Sequence, residues 1–127
     1  MAPKQASAPI ETVATKSARP VYVYQIPKEI GTDVASVGLV QLTAREEMMA
    51  AKRAGGDSVR MAYEQVMQAL VEVNGETVGI ANGSAETAFN SMSPMVRNLV
   101  MTAHVKLHAP EEATVADFLK SREVRVA

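Results

Sequence analysis

At 127 residues, 47% of them apolar and 21% charged, the chain has material for one domain with a real core and not for a second. A formal net charge of −1 lacks the electrostatic footprint of a protein that grips a phosphate backbone along a whole face, which argues against nucleic acid as the main partner. The absence of cysteine excludes disulfides, thiolate zinc sites and cysteine nucleophiles. No run approaches the ~20 apolar residues that cross a bilayer, and no apolar core follows Lys4, so a soluble, unprocessed chain with no membrane contact is expected.

Residues 1–20 combine three prolines with small polar residues and carry Lys4, Lys16 and Arg19 against Glu11. Such a segment cannot bury enough apolar surface to fold alone and reads as an extended or disordered arm, leaving 21–127 as a single domain. Val21–Ile26 alternates β-branched and aromatic residues before Pro27, a short strand. Val37–Leu42 is a second apolar run, which pairs with the first around Gly31-Thr32-Asp33 as an N-terminal hairpin. Thr43 with Glu46 forms a capping box that opens a helix to about Ala54, where Gly55-Gly56 stops it and Asp57 caps the next. In this second, central helix Val59, Tyr63, Val66, Met67 and Leu70 make the apolar stripe, with Arg60, Glu64, Gln68 and Glu72 opposite.

Asn74-Gly75 suits either a left-handed helix cap or the type I′ turn of a hairpin between Leu70–Val73 and Glu76–Ile80; the cap is the favoured reading. Asn82 or Ser84 caps a brief helix to Met92. Ser93-Pro94 is an N-cap followed by proline at the first helical position, where its missing N–H costs nothing. At about 100° per residue, Val96, Leu99, Val100, Ala103 and Leu107 share one arc of that helix, while Arg97, Asn98, Thr102, His104, Lys106 and His108 cover most of the rest. A last helix begins at Pro110 or at Thr114, and Val124-Arg125-Val126 is strand-like, able to join the N-terminal sheet. The fold expected is mainly α: a bundle of four to five helices with a short N-terminal β-hairpin and an extended arm.

No motif carries catalytic chemistry. His104 and His108, four apart, could share a metal only if Glu111 or Glu112 completed the site, and they read as solvated residues of a polar face. Glu46-Glu47 and Glu111-Glu112 are adjacent in sequence, so each pair diverges by about 100° and cannot act as acid and base on one substrate. Gly55-Gly56-Asp57-Ser58 lacks the lysine of a phosphate loop. No cofactor, metal or enzymatic activity is expected. Met101 and Val105 are apolar residues on the polar side of their helix, where they gain nothing unless another surface covers them. Eight methionines beside 4% aromatic residues supply adaptable packing. The candidate partner-binding set is therefore Met101, Val105, Arg97 and Met61.

The serine and proline opening a basic, apolar helix, the His108-Ala109-Pro110 break, and the acidic turn leading to Asp117-Phe118-Leu119-Lys120-Ser121 resemble the small tail assembly proteins of tailed bacteriophages. Leu42-Thr43-Ala44-Arg45-Glu46-Glu47 and Val71-Glu72-Val73-Asn74-Gly75 are similar to the same class, so that the resemblance spans roughly residues 37–126. It implies a tail assembly chaperone that binds the tape measure protein or tail tube subunits in the bacterial host cytoplasm. The proline-containing basic arm suits an alternative, a structural virion component that locks onto neighbouring subunits. Protein partners are expected in either case, and the oligomeric state is left open.

Overall fold

Residues 19–126 are described by the structure, a computed structural model; positions 1–18, the bulk of the expected arm, lie outside the described residues. Arg19, at the boundary, is firmly held: its guanidinium meets both carboxylate oxygens of Glu46 at 2.6 Å and donates to the carbonyl of Gln41. The expected strand appears as β1 (Tyr22–Gln25), and a 3-10 turn at Lys28–Ile30 leads to β2 (Ser36–Leu39). The two are antiparallel, Tyr22 opposite Leu39 and Tyr24 opposite Val37, as the alternation of their side chains implies.

Thr43 caps α1 (Ala44–Ala54): its hydroxyl accepts the Glu46 N–H while Glu46 returns to the Thr43 N–H, and Gly55 closes the helix in the left-handed region. Asp57 then accepts the N–H groups of Val59 and Arg60 to start α2 (Ser58–Ala69). The helices form a hairpin in which buried Ala50 and Ala54, one turn apart, allow close approach. Helix α2 passes without a loop into β3 (Leu70–Val73), which pairs with β2, and β4 (Glu76–Thr77) follows.

Here the structure corrects the favoured reading. Asn74 and Gly75 both have positive φ, 54° and 81°, and join β3 to β4 as a hairpin instead of capping a helix. The Asn74 carboxamide also accepts from Ala35 and Ser36 and donates to Asp33, fastening this turn to the start of β2. The result is a four-stranded antiparallel sheet in the order β1-β2-β3-β4, larger than the expected hairpin, within a chain that remains dominated by helix. Val124-Arg125-Val126 does not join it; these residues are exposed and irregular.

After β4 come α3 (Ser84–Asn90), α4 (Pro94–His108) and α5 (Glu112–Lys120). Asn82 assists the start of α3, its carboxamide oxygen accepting the Ser84 N–H, and Ser93 caps α4 as expected. The last helix starts neither at Pro110 nor at Thr114 but at Glu112, because residues 109–111 are extended up to and past the proline. One core joins the sheet to α2, α3 and α4. Phe89, Leu39, Leu70, Val37, Val96 and Val100 are its largest fully buried side chains, and the Tyr63 ring meets Phe89 edge-on at 5.7 Å. No described helix is long and apolar enough to cross a membrane.

Candidate partner-binding surface

Helix α4 positions every residue of the surface, so its rotation about its own axis decides what is offered. The buried stripe is Val96, Val100 and His104, an i, i+4, i+8 ridge rotated by about 50° from the expected arc. Two assignments are overturned by that rotation. His104, expected on the polar face, is buried, while Leu99, expected in the core, is 37% exposed. The ridge turns this way because the C-terminal end of α4 docks against the β2–α1 connection. There the His108 Nε2 accepts the Leu42 N–H at 2.8 Å and Gln41 donates to the Leu107 carbonyl.

A parallel correction applies to α2. Glu64 and Gln68 are buried and Val59 and Tyr63 exposed, because α1 covers the side expected to face water. Buried Glu64 is matched by Arg53 of α1 at 2.8 Å and by Arg60 at 3.5 Å.

The rotation gives α4 two apolar flanks. On one, Met101 and Val105 border a shallow hollow with Asn98, Thr102 and Lys106. Val105 is 64% exposed, as its sequence position implied, whereas Met101 is half-buried and leans on the core. Arg97 does not line this hollow; its guanidinium donates to the Met92 carbonyl at 2.7 Å and secures the turn before α4. Met61 is half-buried on α2 and does not line it either. Of the four expected partner-binding residues, only Met101 and Val105 are brought together.

On the other flank Leu99 and Ala103 face the end of β1 across a hollow of about 210 Å³, lined also by Tyr24, Gln25, Ile26, Pro27, Val37 and Val100. The sequence reading placed both residues in the core, and so did not see this hollow as surface. A third apolar feature, also missed, is α5: none of its residues is buried, and Phe118 and Leu119 are 73% and 64% exposed. Its i, i+3, i+4 spacing at Val115, Phe118 and Leu119 was the available signal. The sheet adds a fourth, since among the described residues β1 is an edge strand, and its Val23, like Val21 just before it, faces solvent.

The histidines do not make a metal site with the carboxylates considered above. His108 spends both ring nitrogens on backbone, Nε2 on Leu42 and Nδ1 on the His104 carbonyl at 2.8 Å. His104 has its Nδ1 buried without a partner among the described residues, and burial first, then the charge of neighbouring His108, pushes its pKa down to about 4. Among the described residues no three His, Cys, Asp or Glu side chains converge to hold a metal. The surface thus offers apolar area with a thin polar rim, which suits protein contact. Comparison with family models, with curated proteins and with solved structures finds no match.

Proposed function

We propose that this chain is a non-enzymatic binding protein that shields apolar helical segments of a larger client. The client class follows from the resemblance to tail assembly chaperones: the tape measure protein or tail tube subunits of a tailed bacteriophage, met in the host cytoplasm during tail morphogenesis. The observation that carries the binding reading is Val105, an exposed apolar residue on a helix whose other side is locked into the core, beside the adaptable thioether of Met101. A rigid helix with a yielding apolar strip is suited to clients of varied sequence.

The second reading, a structural virion component, draws support from β1. Its exposed edge, Tyr22-Val23-Tyr24-Gln25, carries no charge and no proline, the devices that discourage pairing with another strand.

Tagged protein expressed with the phage structural proteins tests both. The expected outcome is that the parent retains the tape measure or tail tube protein, that Val105→Glu retains at least tenfold less while its circular dichroism is unchanged, and that purified particles lack the chain by mass spectrometry. Stoichiometric presence in particles would establish the structural reading instead. Unaltered retention by Val105→Glu would remove this flank of α4 from the contact. Val105 is the better position for such a test than Met101, where a charge would also disturb the core.

A further inference from the structure

Two of the apolar features described above are complementary in chemistry and charge. Helix α5 presents the exposed apolar side chains of Val115, Phe118 and Leu119 on one side, and the hollow bounded by Leu99, Ala103 and the end of β1 is lined by apolar side chains apart from Gln25 and Tyr24. We propose that α5 of one copy seats in this hollow of a second copy, and the reverse, forming a twofold dimer by exchange of the terminal helix.

A second copy is favoured over the chain's own helix by the linker. Ala109 (φ −95°, ψ 128°) and Glu111 (φ −68°, ψ 152°) are extended, and the proline between them keeps Ala109 out of the helical region. Three extended residues carry α5 roughly 10 Å onward from the end of α4. With this linker α5 does not lie back along its own α4, and short hinges of this kind favour exchange between copies.

Charge agrees. Glu111 and Glu112 stand at the start of α5, whereas Lys28 lines the hollow adjoining that of Leu99; among the described residues no carboxylate lines either hollow. Each copy carries one donor helix and one acceptor, so reciprocal exchange closes with two copies. The exchange uses the flank of α4 away from Val105 and stands independently of any tail protein client.

The absence of native cysteine makes the test clean. Leu99→Cys and Leu119→Cys are prepared as single variants, mixed in equal amounts and mildly oxidised. The expected product is a disulfide-linked pair of one chain of each kind, in at least tenfold excess over pairs of like chains. In the double variant, a disulfide within a monomer would show that α5 closes on its own chain and would overturn exchange, as would a failure to link at all. Sedimentation of the unmodified protein should give twice the chain mass, and Phe118→Asp should weaken self-association at least tenfold with unchanged helicity. Should that variant misfold, Lys28→Glu and Glu112→Lys replace it: each alone is expected to weaken the dimer and the two together to restore it. A parent that sediments as a monomer refutes the proposal.

Discussion

His108 and Leu42 are joined by a hydrogen bond of 2.8 Å in which the imidazole Nε2 accepts a backbone N–H, while the opposite nitrogen, Nδ1, lies 2.8 Å from the His104 carbonyl. Both contacts are satisfied by one neutral tautomer, with the proton on Nδ1. The ring therefore pins the end of α4 to the chain just ahead of α1, 66 residues earlier.

Removing this pin strands a half-buried backbone donor. His108→Ala is expected to lower the unfolding free energy by about 1–3 kcal/mol, measured as a reduced urea midpoint at pH 7.5. Nitrogen chemical shifts of the labelled imidazole should report the Nδ1–H tautomer in the parent. A double change at His104 and His108, harmless if both were solvated, is expected to be more damaging still.

Acid sensitivity should come from His104. Its folded pKa, about 4, lies below the 6.5 of a free imidazole, so between those values the unfolded chain binds a proton that the native state does not. The stability it contributes is complete above pH 6.5 and is lost as pH falls towards 4, at up to about 1.4 kcal/mol per pH unit. Glu46, held below its usual range chiefly by Arg19, acts in the same sense but below pH 4.5. Urea titrations from pH 7 to 4.5 should therefore show a slope that His104→Leu flattens.

In a background where Phe118→Asp weakens self-association, Leu99→Ala should cost about 1 kcal/mol or less, because the side chain borders a hollow at the surface. Phe89→Ala, which empties the centre of the core, should cost about 3–5 kcal/mol. Comparable losses in the two variants would return Leu99 to the core and refute the rotation of α4 described above.

Gly38 leaves no room for a side chain. A methyl group there would lie 2.8 Å from the Glu72 Cβ and 2.9 Å from a Val21 methyl, on the sheet face where Val23, Gly38, Glu72 and Thr77 follow one another across the strands. Gly38→Ala is expected to destabilise by about 1–3 kcal/mol despite the better strand propensity of alanine, read as a lowered melting temperature.

What was legible in the sequence was local. The caps at Thr43, Asp57 and Ser93 and the stop at Gly55 each depend on residues within a few positions, and all appear as read. Glu64, His104 and the Asn74-Gly75 turn were misread because distant groups decide them: Arg53 from the preceding helix, the Leu42 region docking the end of α4, and the Ala35 and Ser36 N–H groups held by the Asn74 carboxamide. At the surface, Val105 was legible because an apolar residue on a polar arc is a local anomaly. The hollow beside Leu99 was not, because its far wall belongs to a strand near the other end of the chain.

The α1–α2 hairpin lies wholly between two neighbouring strands, so β2 can zip to β3 only after everything from Val40 to Ala69 has been gathered in. Left as coil, that excursion would carry a large loop-closure entropy, and the locally encoded caps shorten it before the sheet is sealed. Folding speed should consequently be governed at Asp57 and Gly55, whose caps decide how soon the excursion is gathered in.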